Sequence, residues 1–329
     1  MDLRELEYFR DWLPVRCYWR ENQAFVDWCF AGKVRLTEPF FDDSILKRFR
    51  EPFNLLFRHQ TPIEFLGELN EVSKGLEPTG FIFHLSRCGS TLVSQMLAAL
   101  PQNIVISEAA PVDFVIRSQT VPENSRVEWL RWMINALGQK RNKREENFFI
   151  KFDSWNTLEL NLIKRAFPGV PWIFIYRNPV EIIVSHMRQR GSQMIPGVIK
   201  EILPEISFEE SLKMPPEEYC ARVLGKVCQS ALDSLKNGDG LAVNYNELPD
   251  GVNASILKHF NVESIPQDVS RMMEAAKFSA KNPFLKFSND SESKKKEAGE
   301  AAISAAEKFV NPFYEEFERL RLKARKTRL

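Results

Sequence analysis

Five short runs of apolar, β-branched and aromatic residues constrain the fold of this chain more than any other feature. They lie at residues 80–85, 103–107, 147–152, 171–176 and 240–245. Helical patterns separate them, for example at residues 91–100, 127–139 and 179–190. Continuous apolar strands that alternate with helices are typical of a parallel sheet with both faces covered. We therefore predict an α/β fold, a three-layer arrangement with helices on both faces of a parallel sheet.

The chain before residue 79 does not follow this pattern. A turn at residues 21–23 lies between two apolar stretches and predicts a hairpin, and Thr61 predicts the N-cap of a helix. We predict an N-terminal accessory region at residues 1–78. The α/β domain then spans residues 79–329 and ends in one long helix over about 295–327.

Composition and charge exclude several classes of protein. The chain of 329 residues has 45 Lys and Arg against 44 Asp and Glu, so its charge does not suggest a nucleic-acid partner. With four His and no CxxC pair, neither a metal site nor a disulfide framework is expected. The charged N-terminus does not resemble a signal peptide, and no apolar run is long enough to span a membrane. We expect a cytoplasmic protein with reduced thiols.

A polar turn, "SRCGST" at residues 86–91, joins the first of these strands to the first helix. The first N–H groups of a helix have no partner within the helix and point outward, and the helix dipole adds positive potential there. Gly89 lets the backbone approach an anion closely. Ser90 and Thr91 offer hydroxyl donors, and Arg87 adds a cation that suits phosphate or sulfonate oxygens. The turn therefore predicts an anion site.

Two common phosphate-binding loops do not fit this turn. A nucleoside triphosphatase loop requires Gly where His84 stands and Lys where Ser90 stands. A cysteine phosphatase requires Arg six positions after Cys88, where the chain has Ser94. A helix N-terminus is expected to lower the pKa of the Cys88 thiol, yet a small residue that fits a tight turn is the preferred interpretation.

A second anion site is predicted where another strand ends. The run "WIFIY" leads into Arg177, and Asn178 and Pro179 then start a helix. Ser185 lies on that helix, eight residues after Arg177. Because the carboxyl ends of parallel strands share one edge of a sheet, both sites are expected to lie side by side. Two adjacent anion sites suit a ligand with phosphate at both ends.

The pair of motifs "SRCGSTL" and "YRNPVEIIVSHM" resembles the two signatures of sulfotransferases that use 3′-phosphoadenosine 5′-phosphosulfate. The resemblance covers about residues 80–262 and implies a P-loop-like sulfotransferase fold. It implies that the 5′-phosphosulfate is bound by Arg87, Cys88, Gly89, Ser90 and Thr91. It also implies that the 3′-phosphate is bound by Arg177 and Ser185.

The motif style is closest to tyrosylprotein sulfotransferases and their bacterial relatives. That branch has a catalytic Glu 21 residues after the loop Arg, which is the position of Glu108. It also has a Lys after the next strand that assists the leaving group, and "IKFDSWNTLEL" resembles this stretch with Lys151 as the counterpart. The resemblance therefore implies Arg87, Glu108 and Lys151 as catalytic residues. His186 is a less favoured base, and His84 is expected to be a core residue.

The resemblance implies a donor, a product and an acceptor. The donor is 3′-phosphoadenosine 5′-phosphosulfate, the product is adenosine 3′,5′-bisphosphate, and the acceptor is a hydroxyl group of a small molecule or peptide, with no metal. Two alternatives stay open at this point. One is a nucleotide or small-molecule kinase of P-loop type, and the other is a binding module that kept the nucleotide site without the chemistry.

Two features depart from the cytosolic members of the family. Leu92 replaces an aromatic residue that stacks on adenine there, and their Gly-rich 3′-phosphate segment is absent. Lys294, Lys295 and Lys296 are interpreted as a solvated charge run rather than as a substitute for that segment. Residues 191–216 and 280–299 form long irregular stretches, which predict lids or substrate loops.

Overall fold

The computed structural model describes residues 3–280, 282–286 and 290–327. No helix among these residues is both long and apolar enough to cross a membrane. The α-helices are α1 Leu3–Tyr8, α2 Phe41–Phe49, α3 Pro52–Leu56, α4 Phe65–Val72, α5 Ser90–Ala98, α6 Ala110–Arg117, α7 Glu123–Leu137, α8 Leu160–Ala166, α9 Pro179–Arg188, α10 Phe208–Lys213, α11 Pro216–Leu235, α12 Leu257–His259, α13 Pro266–Ala275, α14 Ser291–Glu297, α15 Glu300–Phe309 and α16 Asn311–Thr327. The strands are β1 Trp12–Arg20, β2 Gln23–Phe30, β3 His59–Pro62, β4 Gly80–His84, β5 Asn103–Ser107, β6 Asn147–Lys151, β7 Trp172–Tyr176, β8 Gly240–Asn244, β9 Phe278–Ser279 and β10 Asn282–Lys286.

The predicted parallel sheet is confirmed. Within the described residues, strands β4 to β8 form one sheet in the order β5-β6-β4-β7-β8, and all four pairings are parallel. All five strands are buried along nearly their whole length, as expected for continuous apolar runs with helices against them. The loops that follow the five strands therefore meet at one edge of the sheet.

The predicted N-terminal hairpin is also confirmed. Strands β1 and β2 pair in an antiparallel register that closes at Arg20 and Gln23. The two residues between them, Glu21 and Asn22, have φ angles of 49° and 64°. Two successive left-handed residues are the geometry of the tight turns that match the twist of a hairpin.

The helix predicted to begin at Thr61 begins later. Residues 59–62 form β3, which pairs with β2, and Trp28 Nε1 donates a hydrogen bond to Thr61 Oγ1 at 2.9 Å. Helix α4 starts at Phe65 after Glu64. The local capping pattern did not decide the structure here, because residues 59–62 pair with β2, which is distant in sequence.

The accessory region packs directly on the α/β part. Trp19 on β1 contacts the rings of Phe114 on α6 and Trp129 on α7, with centroids 5.7 and 6.1 Å apart. Arg35 donates hydrogen bonds to three backbone carbonyls around α5 and β5. Buried residues of both parts form one hydrophobic cluster. The domain division at residue 79 stays a prediction.

The single C-terminal helix predicted over residues 295–327 is wrong. The chain forms α14, α15 and α16 instead. Gly299 separates the first two, and Pro312 opens the third, where a residue without an N–H group is tolerated but cannot continue a preceding helix. In the stretch at 280–299, residues 281 and 287–289 lie outside the described residues. The described part of that stretch contributes β10 and α14.

Candidate active site

A cavity of about 540 Å³ opens at the carboxyl edge of the central sheet. Residues from the loops after all five strands line it. Ser90 follows β4, Glu108 follows β5, Asp153 follows β6, Arg177 follows β7 and Tyr245 follows β8. In an open parallel sheet, this edge is the usual place of a ligand site. The two motifs therefore face one cavity, as the sequence predicted.

The loop after β4 has a strained backbone. Ser86 and Arg87 have φ angles of 62° and 47°, and Gly89 has a φ of 88°. Left-handed backbone at residues other than glycine is uncommon and clusters at functional sites. A Cβ atom at position 89 would lie 2.8 Å from Tyr245 Cδ2, so only glycine fits without movement. Successive N–H groups in such a turn form a concave anion site.

The polar side chains of this loop face the cavity. Ser90 and Thr91 form the first turn of α5 and line the cavity, although both are largely buried. Arg87 also lines it, and its Nη2 donates a hydrogen bond to the Gln189 carbonyl at 2.9 Å. The guanidinium group is thereby anchored at the cavity wall beside the N-terminus of α5.

Cys88 differs from the expectation for a thiol at a helix N-terminus. The residue is fully buried, and its Sγ donates a hydrogen bond to the Ile175 carbonyl at 3.0 Å. Burial raises the pKa of the Cys88 thiol to about 12, and Arg177 and Lys151 do not offset this. The expected lowering of the pKa is wrong because desolvation outweighs the helix dipole. The sulfur anchors the turn to β7.

Arg177 is held by acidic and aromatic partners. Its Nε donates to Glu181 Oε2 at 2.6 Å, and its Nη2 donates to Asp290 Oδ1 and Ser291 Oγ, both at 2.9 Å. The guanidinium carbon lies 4.0 Å from the centre of the Tyr245 ring. These contacts fix Arg177 at the β7 end of the cavity.

Lys294 is not the solvated residue that the charge run predicted. It is 4% exposed, lines the cavity, and lies 2.8 Å from Asp290 Oδ2. Asp290 therefore bridges Lys294 and Arg177 with its two oxygens. Ser185 on α9 lines the same part of the cavity. Sequence alone gave no signal for Lys294, because α14 packs against α9 through contacts distant along the chain.

Glu108 lies at the opposite end and is paired. Its Oε1 lies 2.8 Å from Lys151 Nζ and 3.4 Å from His84 Nε2. Its backbone φ is 54°, so it is the third left-handed residue other than glycine at the cavity. Burial favours the neutral acid, but the charge of Lys151 and the contact with His84 outweigh it and hold the pKa of Glu108 well below its usual range. Glu108 does not cap α6, whose N-cap residue is Ala109.

Lys151 and His84 both contact the carboxylate of Glu108. Lys151 is fully buried, and its Nζ also donates to Thr91 Oγ1 at 3.3 Å, so it reaches the cavity only through its two partners. His84 Nδ1 accepts the N–H of Ser86 at 3.0 Å, which places the ring proton on Nε2, toward Glu108. Burial lowers the pKa of His84 and keeps the ring neutral. His84 is buried as expected, but it also lines the cavity.

Several cavity residues were missed by the motif analysis. Asp153 and Trp155 follow β6, and Phe40 comes from the accessory region. Gln193 donates to Ser86 Oγ at 3.1 Å and so links the long segment after α9 to the β4 loop. The only sequence signal for this group was the position of "FDSW" directly after a predicted strand. His186, the less favoured base, is buried and its Nδ1 accepts the N–H of Gly191 at 3.3 Å.

Charge is distributed unevenly along the cavity. Strand order places β7 and β8 on one side of β4, and β6 and β5 on the other. Arg177 and Lys294 therefore lie at one end, whereas Glu108 and Asp153 lie at the other, with Arg87 and the N-terminus of α5 between them. Because neighbouring strands are about 4.8 Å apart, the edge from β5 to β8 spans roughly 19 Å.

No cluster of three or more side chains suited to a metal ion occurs in residues 3–280, 282–286 and 290–327. The polar groups of the cavity include hydroxyls, guanidinium and ammonium groups and three carboxylates, those of Glu108, Asp153 and Asp290. Such a set binds anions and moves protons.

No family model matches the sequence, and no curated protein matches it. Among solved structures, the chain is similar to the sulfotransferase domain of the Synechococcus PCC 7002 olefin synthase, at 17% identity and a TM-score of 0.43, over 72% of this chain and 95% of that one. It is also similar to sulfotransferase STF9 from Mycobacterium avium, at 12% identity and a TM-score of 0.42, over 75% and 76%. A retinol dehydratase in a complex with retinol and PAP matches at 12% identity and a TM-score of 0.31, over 80% and 86%. Solved sulfotransferases are thus among the structures that resemble this chain.

Proposed function

We propose that the protein transfers a sulfuryl group from 3′-phosphoadenosine 5′-phosphosulfate to a hydroxyl group of a small molecule or peptide. One observation carries the proposal: Arg177 and Ser185, Arg87 and the N-terminus of α5, and the carboxylate of Glu108 all line a single cavity. The α5 N-terminus with Arg87 suits a 5′-phosphosulfate, and Arg177 with Ser185 suits a 3′-phosphate. Glu108 lies beyond the first of these sites, where the acceptor would approach.

The side chains near Arg177 fit a phosphate group. Arg177 and Lys294 already hold an anionic group, the carboxylate of Asp290, whose two oxygens lie 2.9 and 2.8 Å from these cations. A phosphate offers oxygens of the same kind and more negative charge. We expect it to take over the contacts that Asp290 makes, with Ser185 as a further donor.

The donor supplies an activated sulfuryl group on its leaving phosphate oxygen. In the proposed step, the acceptor oxygen forms a bond to sulfur, the bond from sulfur to the 5′-phosphate oxygen breaks, and the acceptor proton passes to Glu108. Arg87 and the N–H groups at the start of α5 stabilise the charge that develops on the leaving oxygen. Ser90 and Thr91 orient the 5′-phosphate by hydrogen bonds.

Lys151 has two roles in this proposal. It holds Glu108 ionised at neutral pH, although the same lowering of the pKa makes the carboxylate a weaker base, so the proton is expected to move only as the acceptor oxygen bonds to sulfur and becomes acidic. Its second contact, to Thr91 Oγ1, connects it to the loop that binds the leaving group. The contacts of the Glu108 carboxylate with Lys151 and His84 both involve Oε1, and in this proposal Oε2 takes the proton of the acceptor hydroxyl.

Thermal unfolding tests the ligand. Adenosine 3′,5′-bisphosphate at 100 times its Kd is expected to stabilise the protein by about 2.7 kcal/mol. For a chain of this size, that corresponds to a rise in Tm of roughly 5 °C. Stabilisation by ATP with magnesium, but not by the bisphosphate, would instead favour a kinase and refute the proposal.

Matched variants test the residues. Arg177→Gln is expected to weaken bisphosphate binding by at least about tenfold, since each 1.4 kcal/mol corresponds to a factor of ten. Arg188→Gln is the control, because Arg188 ends the helix that follows Arg177 but pairs with Glu297 outside the cavity. Glu108→Gln should keep bisphosphate binding while sulfuryl transfer falls by about 10²–10⁴. Equal transfer rates for Glu108→Gln and the wild type would exclude Glu108 as the base.

A further inference from the structure

The acceptor end of the cavity contains a carboxylate that the proposed sulfuryl transfer does not use. Asp153 lines the cavity and is only 9% exposed. Asp153 is the N-cap of the helical turn Ser154–Glu159. Its hydrogen-bond partners there are the backbone N–H and the side-chain amide of Asn156. No basic side chain of the described residues forms an ion pair with Asp153, although Lys151 is close enough to affect its charge. A backbone N–H group does not neutralise the charge of a carboxylate.

The surroundings of Asp153 are acidic as a whole. Glu108, Asp113 and Asp42 all add negative charge near it. Lys151 is the nearby cation, and it already pairs with Glu108 at 2.8 Å. Burial and these neighbouring carboxylates raise the pKa of Asp153. An ionised carboxylate in such a place is favoured when a cation binds beside it.

Aromatic side chains complete this end. Phe40 and Trp155 line the cavity with Asp153. Trp155 Nε1 donates to Asp113 at 2.7 Å, so its polar atom is already used and its ring carbons remain for the cavity. The Phe40 ring already faces the Lys151 ammonium group, whose Nζ lies 4.8 Å from the ring centre, so Phe40 contributes apolar wall and Trp155 is the ring that can face a second cation. A carboxylate beside an aromatic ring is a combination that binds organic ammonium groups.

We infer that the hydroxyl acceptor carries a positively charged amino group, which Asp153 binds beside Phe40 and Trp155. The inference rests on the proposed sulfuryl transfer and adds the chemical class of its acceptor. The basic end of the cavity binds the anionic donor, and the acidic end selects a cationic acceptor. Asp153 is therefore a specificity-determining residue, whereas Glu108 receives the proton.

Two matched pairs of acceptors test the inference. Tyramine is compared with 4-ethylphenol, and 6-amino-1-hexanol with 1-hexanol, because the members of each pair differ by an amino group. The full chain is supplied with 3′-phosphoadenosine 5′-phosphosulfate, and sulfated products are measured by mass spectrometry. The amine in at least one pair is expected to have a kcat/KM about tenfold or more above its neutral partner.

Asp153→Asn should reduce this preference to within about threefold. Asn also caps helices well, so the variant is expected to fold, and stabilisation by the bisphosphate checks this. Asp233→Asn is the control, because Asp233 lies on α11 next to Gln229 and away from the cavity. It should keep the wild-type preference.

The result that overturns the inference is that, in both pairs, the neutral acceptor is used as well as its amine, or that the preference is unchanged in Asp153→Asn. If no acceptor reacts, thermal unfolding with the bisphosphate plus each acceptor decides. Equal shifts for amine and neutral partner then refute the inference. Absence of any shift with the bisphosphate alone is a different outcome and refutes the proposed function itself.

Discussion

Replacing Lys151 with Met isolates the ion pair at the centre of the cavity. Lys151 Nζ and Glu108 Oε1 are 2.8 Å apart, and the Lys151 side chain is fully buried. At an effective dielectric constant of about 20, two charges at this distance attract by about 6 kcal/mol. Much of this offsets desolvation, and removing one partner of a buried pair typically costs about 3–5 kcal/mol.

Lys151→Met is expected to lower the free energy of unfolding by about 3 kcal/mol, the lower limit of this range. Glu108 is 23% exposed, so water can partly solvate it when the ammonium group is absent. Met also preserves packing beside the Phe40 ring, whose centre lies 4.8 Å from Lys151 Nζ. Glu108→Gln should cost more, about 4 kcal/mol, because it leaves a fully buried ammonium group unpaired.

Urea unfolding of both single variants and the double variant measures these free energies. The double variant should be more stable than Glu108→Gln alone, since it contains no unpaired charge. A loss below about 1 kcal/mol for Lys151→Met, or a double variant less stable than both singles, would refute the reasoning.

The pH dependence provides a further check of the same pair. The pKa of Glu108 is lowered in the folded state, chiefly because Lys151 outweighs the effect of burial. Its contribution to stability is therefore present above the unfolded value of about 4.3 and is lost as the pH falls below it. In Lys151→Met, burial without the ammonium group is expected to raise the pKa of Glu108, so that the carboxylate takes up a proton as the pH falls and no unpaired charge remains. The stability difference between the wild type and Lys151→Met should therefore be largest at neutral pH and shrink as the pH falls toward about 4.

Three further predictions follow from single contacts. Gly89→Ala should cost about 1–3 kcal/mol in urea unfolding, because φ is 88° and the new Cβ would lie 2.8 Å from Tyr245 Cδ2; unchanged stability would contradict this. Asp290→Asn should tighten bisphosphate binding by about tenfold in calorimetry, because a competing carboxylate leaves Arg177; weaker binding would show that Asp290 assists the ligand. Cys88 should resist alkylation by iodoacetamide at pH 8 in the native protein and react in urea, as mass spectrometry can show, because its thiol is buried and its pKa is about 12.

The strands and the first anion site were predictable because their signals are local. Five continuous apolar runs gave the five strands of the parallel sheet almost to the residue. The "SRCGST" turn gave the position of the loop between β4 and α5, and Gly89 adopts a φ there that other residues rarely adopt. Short-range sterics and side-chain periodicity decide these features, and both can be read from neighbouring residues.

Other features depended on residues distant in sequence. Thr61 became part of a strand because β2 offered it a partner, and Lys294 became buried because α14 packs on α9. The single C-terminal helix that was predicted is three helices, α14, α15 and α16. Gly299 and Pro312 lie near the two breaks, and both residue types disfavour a helix interior, so this feature did have a local signal.

By itself, the sequence determined the class of fold, the sheet edge at which the two motifs meet and the candidate residues Arg87, Glu108 and Arg177. Only the tertiary structure decided their electrostatic states. Lys151 at the end of β6 lies beside Glu108 and lowers its pKa. Asp153 forms no ion pair among the described residues, and burial and the neighbouring carboxylates raise its pKa. Burial and charged neighbours set a pKa, and both are properties of the assembled fold.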